Sequence, residues 1–542
     1  MSINGLFTIG KTALSASQTA LSVINNNIAN VNTPGYARQD VILQISSPIQ
    51  GAGGQLIGTG VTVSGITRSY DRFIEAQLTQ QYQFLGRSTS LEKTLGSVEQ
   101  VYNDATGAGL QKNLMEFFNA WQDLATTPEG QPQRTVLLQK AQSLVTNARR
   151  MESSLETILK QTNGNIADIA GTINNMASGI SALNAKIVQL ETGQGSEQAS
   201  DLRSQRDNLI NQLADLADIS SFENRDGSLT VTLGMRNLVS GDRATPLTAS
   251  TDANGDTQLS LDNINITGDI ENGQLGGLIA ARQEITDNSL FGLRKLVASL
   301  TKEINLQHQS GYGLDSVGGR DFFSPLQLTT GGSSAGAGIT ASISNMASVT
   351  LDEYDVTFDA TATNYSVTNR QTGSVVASGL YTSGSTITFD GIDMTISGAV
   401  TAQDTFSISP LAGSVRNFGL DAGINNTTIA ASSSATELPG NNSNALLIAQ
   451  LADASIAALG GSTFMQNYTG LVADAGSASS AASDSRSFDS SMLEAIRFKR
   501  ESTSGVSLDE EAANMIRYQR SYEAGARMIR MADELMQTIL QL

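Results

Sequence analysis

The 542-residue chain contains no cysteine, so disulfide staples, thiolate nucleophiles and cysteine-based metal sites are all excluded. It has one histidine and one tryptophan, and aromatic residues make up only 5% of the chain. A lone His308 has no second imidazole or thiolate with which to build a typical zinc site, and no serine stands near it in a triad pattern. It reads as a polar residue at a helix end. Charged residues reach just 16%, and acids outnumber bases 52 to 33. A formal net charge of -19 argues against nucleic acid or an anionic bilayer as the partner, because both select basic surfaces. No apolar run approaches the roughly 20 residues needed to span a membrane. The opening residues lack the basic and continuous apolar regions of a Sec signal peptide, so export would need another route.

What remains is helical pattern at both ends. Phe7, Gly10, Leu14, Ser17, Leu21, Ile24, Ile28 and Val31 recur with 3-4 spacing, the mark of one helical seam. Lys11 is the only charge between Met1 and Ala37, which suits a helix with neighbours on every side. The pattern then meets "NNNIANVNTPGYARQ" at residues 25–39 and stops. Pro34 lacks an amide hydrogen and drives Thr33 out of helical geometry, and Gly35 suits the positive φ of a type II turn. Beyond it Val41, Leu43 and Ile45 alternate as a strand. At the other end Ser507 and Glu510 have capping-box spacing. There a second seam runs Leu508, Ala512, Met515, Gln519, Tyr522, Ala526, Ile529, Asp533, Met536, Leu540. A lone helix with so thin a seam is marginal, so both ends are expected to be largely disordered in the free monomer and to fold when stacked with neighbouring subunits.

Between the ends, Leu110 to Ile219 is helical in pattern. A seam from Leu155 through Ile158, Thr162, Ile166, Ile169, Ile173, Met176, Ile180, Leu183 and Ile187 to Leu190 precedes a Gly193–Gly195 break. Leu202, Leu209, Leu213 and Leu216 follow it, predicting a long antiparallel hairpin. Short strands are predicted over 221–272, helix from Gly276 to about His308, and a β domain over Gly331–Pro410, where "YDVTFD", "NYSVTN", "STITFD" and "DTFSISP" alternate. The fold class is mainly α with a β insert, built from a coiled-coil-like terminal domain, a helical-hairpin α+β middle domain and a small β domain. The expected boundaries are 1–65 for the N-terminal half of the assembly domain and 66–330 for the middle domain. The insert takes 331–410, the middle domain returns over 411–494, and 495–542 completes the assembly domain.

No enzyme is legible. Gly5 to Thr12 matches the phosphate-loop letters, but only four residues precede it and its interior is bulky and apolar. "DANGD" at Asp252–Asp256 lacks the ligand spacing and closing Glu of a calcium loop and reads as a β-turn. Glu510 and Glu511 sit on a helix without a visible pocket. Arg517, Arg520, Arg527 and Arg530 form a stripe, with Glu523 four residues before Arg527, that is either solvated or faces a neighbouring subunit.

The asparagine-rich stop, carried by Asn26, Asn27, Ile28, Ala29, Asn30, Asn32, Thr33, Pro34, Gly35 and Tyr36, resembles the N-terminal motif of the bacterial flagellar axial proteins. That family comprises the rod, hook and hook-associated components. "SGVSLDEEAANMIRYQRSYEAGARMI" resembles its C-terminal motif, and "GGRDFFS", "DMTISGAVTAQDTFSISP" and "NNSNALLIAQL" resemble the hook-associated branch. Lys11 and Ser507 depart mildly from the family pattern. The resemblance implies export through the flagellar type III apparatus and a location outside the cell, in the flagellum at the hook–filament junction. It implies a homo-oligomeric ring whose terminal helices stack around a channel. The implied partners are the hook protein, a second junction protein and an export chaperone on the C-terminal helix, with no cofactor, no metal, no nucleic acid and no membrane insertion. The implied assembly residues are Leu14, Leu21, Ile24, Asn27, Ile28, Asn30, Val31, Asn32, Pro34, Gly35 and Tyr36, with Leu508, Met515, Tyr522, Ile529, Met536 and Leu540. A hook or distal rod protein would share the ends. A coiled-coil adhesin or phage tail component would share only the helices, and a cell-wall hydrolase would need a catalytic carboxylate in a groove.

Overall fold

The computed structural model describes residues 3–50, 56–103, 109–191, 199–252, 255–333, 336–402 and 404–541. It is mainly helical, with several small sheets. The helices are α1 (Ile3–Ala29), α2 (Arg72–Tyr102), α3 (Leu110–Thr126), α4 (Gln131–Glu191) and α5 (Ser200–Leu216), then α6 (Gly273–Glu284), α7 (Phe291–Gln309), α8 (Ser443–Gln450), α9 (Phe464–Ser504) and α10 (Leu508–Leu540).

The two ends pair with each other. α1 and α10 run antiparallel, Gly10 meeting Ile529 near one end and Asn27 meeting Glu511 near the other. After the Pro34–Gly35 turn, Gln39–Ile45 pairs antiparallel with Val61–Arg68, setting Val41 opposite Ile66 and Leu43 opposite Val63. This hairpin lies back along α1, where Gly60 closes against Thr12 and Ile9.

The body hangs from α2 and α9, which are antiparallel and joined by Arg500–Glu75 at 2.9 Å and Arg486–Glu92 at 3.2 Å. The sequence pattern did not show α2, because its apolar residues are divided between α9 on one side and α5 and α6 on the other. The 61 residues of α4 reach about 90 Å at 1.5 Å per residue. Its seam is read as expected: Leu155, Thr162, Ile166, Ile173, Ile180 and Ile187 are buried, and only Leu190 is exposed. α5 returns along it, although the Gly193–Gly195 break itself lies outside the described residues.

Two small antiparallel sheets cover the C-terminal half of α4. One takes Ile219–Glu223, Leu229–Leu233, Arg236–Ser240 and Arg243–Ala244 in that order, and the other centres on Thr257–Leu261. The insert holds a five-stranded and a three-stranded sheet between Thr329 and Ser409, packed face to face over Tyr354, Val356, Ile392 and Ile408. Lys302 of α7 clasps it by donating to the Val349 carbonyl at 2.7 Å.

The half of the body away from the paired ends is an aromatic core of Phe117, Trp121, Phe322, Phe323 and Phe418, all at most 1% exposed. His308 lies within it, fully buried, with its ring centroid 5.5 Å from that of Phe322. Its Nε2 accepts the Ala430 N–H at 2.9 Å, so its Nδ1–H donates to the Arg320 carbonyl at 2.7 Å. The neutral ring therefore pins two loops to the end of α7. Burial lowers its pKa to about 4. The folded state binds this proton less readily than the unfolded chain does. The associated stability is thus complete above pH 6.5 and is lost as pH falls through about 4. From pH 7 to 4, unmodified protein should lose on the order of 3 kcal/mol more stability than His308→Gln in denaturant titrations. A difference between the two that stays flat with pH would contradict this.

Candidate assembly interface

The asparagine-rich stop is the joint between the paired ends and the body. Tyr36 N–H closes the turn onto the Thr33 carbonyl at 3.1 Å, with Gly35 at φ +81°. That turn brings the chain back beside the last full turns of α1. Asn27, 1% exposed, uses its whole amide there. Its Nδ2 donates to the Gln39 carbonyl at 2.9 Å and to Glu511 Oε2 at 3.1 Å. Its Oδ1 accepts the Gln39 N–H at 3.0 Å and the Tyr36 hydroxyl at 2.9 Å. One side chain thus fastens the end of α1, the turn, the first strand and the start of α10. Glu511 is 2% exposed, so this carboxylate depends on the amide for part of its solvation. Burial, with Asp201 and Glu511 nearby, pushes the Tyr36 hydroxyl far above its ordinary pKa and keeps it a donor.

The other asparagines serve the same corner. Asn26 donates to the Tyr36 oxygen at 3.3 Å, and Asn30 Nδ2 folds back to Asn26 Oδ1 at 2.9 Å. Charged contacts then carry the joint into the body. Arg38 reaches Glu510 at 2.8 Å, and its amide donates to the Ser504 carbonyl at 2.9 Å. Arg500 bridges the Gly35 carbonyl at 2.8 Å to Glu75. Gln39 donates to Asp201 of α5 at 2.6 Å, and Arg68 meets Asp207 at 2.5 Å. Ser507 accepts the Glu510 N–H at 3.5 Å, but the Glu510 carboxylate turns to Arg38 instead of closing the capping box.

Along the coil, Ile24 and Asn27 are buried, and Leu14, Leu21, Ile28, Asn30, Val31, Gly35 and Tyr36 are half-buried; Asn32 and Pro34 are exposed. On α10, Met515 and Ile529 are half-buried, whereas Leu508, Tyr522 and Met536 are exposed; the Leu540 side chain lies outside the described residues. The line of α10 that meets α1 is Glu511, Tyr518, Gly525, Ile529 and Ala532, turned about 60° from the seam read in the sequence. Gly525 and Ala532 escape a hydrophobicity count because they are small, and Glu511 because it is charged. Small residues repeating at helical spacing were the available signal.

The remaining motifs resolve simply. Gly5 to Thr12 is continuous helix within α1, not a loop. Asp252 accepts the Asp256 N–H at 2.9 Å across its turn, whose residues 253–254 lie outside the described residues. Arg517, Arg520, Arg527 and Arg530 are all exposed, with Arg527 4.0 Å from Glu523.

Helix contact is closest where glycine faces glycine. A methyl group on Gly10 would stand 2.8 Å from Ile529 Cγ1, and one on Gly525 would stand 3.3 Å from Leu14 Cγ and 3.4 Å from the Gly10 carbonyl oxygen. Gly525→Leu should therefore part the helices at a cost of about 1–3 kcal/mol. Limited trypsin digestion should then cut at Arg520 and Arg527 about 10-fold faster or more, since every 1.4 kcal/mol is tenfold in an opening equilibrium. Unchanged cleavage would contradict the close approach.

Comparison with known proteins agrees along the chain. Residues 95–323 match the model of the flagellar hook-associated protein FlgK helical domain, and 328–410 match the flagellar hook-associated protein 1 D2-like domain. Residues 7–36 match the flagella basal body rod protein model, and 500–542 match the flagellar basal body rod FlgEFG protein C-terminal model. Flagellar hook-associated protein 1 of Salmonella typhimurium is 29% identical over 561 aligned residues, covering 100% of both chains. Its counterpart in Bacillus subtilis is 26% identical, over 97% of this chain and 96% of its own. The solved flagellar hook junction protein FlgK from Burkholderia pseudomallei shares the fold, with TM-score 0.68 and 18% identity over 79% of this chain and 100% of its own. Along its whole length the chain is a homologue of flagellar hook-associated protein 1 (FlgK).

Proposed function

We propose that this chain is a structural component of the bacterial flagellum that builds the hook–filament junction by self-assembly of its paired ends and is needed for the filament to form. One observation carries the reading. α10 keeps apolar side chains on both flanks beside its contact with α1: Leu508 and Tyr522 on one, Met531 and Leu535 on the other, each 42–56% exposed. A helix that is wet on those sides has no use for them, and neighbouring copies would cover them. The full-length likeness to hook-associated protein 1 supports the same role.

In this reading the copies form a ring that meets the hook protein on one side and the second junction protein on the other. The Arg520 and Arg527 face of α10 lies between or beside copies, and a cytoplasmic chaperone covers α10 before type III export. Within a single chain α1 already takes one side of α10, so the neighbours complete the two flanks rather than the whole helix. Domain limits near 65, 330, 410 and 494 follow the same division, with the ends assembling and the body outside.

A strain lacking the gene should make hooks without filaments and release flagellin to the medium. Met531→Glu with Leu535→Glu should fail to restore filaments although the purified protein keeps its melting temperature, since both positions are exposed. Full swimming with the doubly charged variant would contradict assembly through that flank.

A further inference from the structure

The body has two cores, and the layer between them is thin. The aromatic core ends near Leu155 of α4 and at Ile285, the first residue of the segment that joins α6 to α7, and the core beneath the small sheets begins at Ile166 and Leu278. Among the described residues, only a minor cluster of Leu95, Ala281 and Ala482 lies between. Every long element crossing this level is altered there. Between α6 and α7 the helix widens to a π-helical segment, Ile285–Leu290, and the buried Tyr102 hydroxyl caps its Ser289 carbonyl at 2.7 Å. α4 places Asn163 and Gly164 at this height. Asn163 takes Arg282 at 3.2 Å and the Thr257 amide at 2.9 Å, so polar contacts replace an apolar seam. α9 runs through "GSASSAAS" from Gly476, and α2 puts Gly96 against Ser479.

The glycines discriminate between packing and softness. A glycine inside a helix costs roughly 1 kcal/mol against alanine, and close packing is its usual reason. At Gly164 and Gly476 a methyl group would meet nothing within 4 Å. Neither is there for room. Both weaken their helices at the level where the core is thinnest and the third helix is locally unwound.

We propose that this level is a hinge: the half bearing α5 and the small sheets swings against the half bearing the aromatic core and the β insert. A π-segment supplies two alternative hydrogen-bond registers, and two unconstrained glycines let α4 and α9 bend with it. The device rests on the fold alone and stands whether or not the chain forms a junction. It would let identical subunits fit lattices of different curvature.

The chain lacks cysteine, so Ser153→Cys and Ser250→Cys, both exposed and one in each half, carry the only spin labels. Pulsed dipolar measurements on the full chain should give a broad or two-peaked distance distribution. Gly164→Ala with Gly476→Ala should narrow it by about half and raise Tm by about 2–4 °C. Gly171→Ala has equally open surroundings but sits beside the second core, and should leave the width unchanged. A parent distribution already as narrow as that of the double variant, or equal narrowing by Gly171→Ala, would overturn the hinge.

Discussion

A buried amide with every hydrogen-bonding position filled holds this molecule's ends together. Asn27 ties residues at positions 36, 39 and 511 at once, and each partner belongs to a different element. An apolar side chain of similar size could fill the volume, but it would leave the Glu511 carboxylate and the first strand's amide without partners in a dry site. That asymmetry makes the joint specific. Correct pairing satisfies everything, and any slip of α10 along α1 leaves buried polar groups unmet. The rest of the coil, apolar side chains such as Ile24 and Ile529 beside small residues at a close approach, gives contact but little register.

The joint also sets how the coil is presented. Arg38, Arg68 and Arg500 bind it to α5, α2 and the end of α9, so the direction of α1 and α10 is fixed relative to the body rather than left to a linker. The coil can then offer its uncovered flanks in one orientation. In the proposed ring, orientation would matter as much as stickiness. Burial of charge at the base and exposure of apolar groups along the shaft are two halves of one design.

Much of this was legible in the sequence. The long seam of α4, the strands of the insert, the turn at Gly35 and the helical ends all carry local periodic signals, and the structure places elements there. What was not legible depends on partners distant in sequence. α2 shares its apolar residues among several neighbours, so no single seam stands out. The contact line of α10 runs through Gly525, Ala532 and Glu511, residue types that apolar spacing overlooks. The asparagine cluster showed where α1 stops, but not that Glu511 waits 484 residues away. His308 read as an ordinary helix-end residue, since nothing near it in sequence announces the aromatic core that closes around it.

The most direct measurement is a double-mutant cycle on Asn27 and Glu511, with unfolding free energies of the parent, Asn27→Ala, Glu511→Ala and the double variant. A buried, charge-assisted hydrogen bond of this kind predicts a coupling of about 1.5–3 kcal/mol, the second substitution costing far less once the first is made. Additive losses would show that the two ends are not locked through this pair.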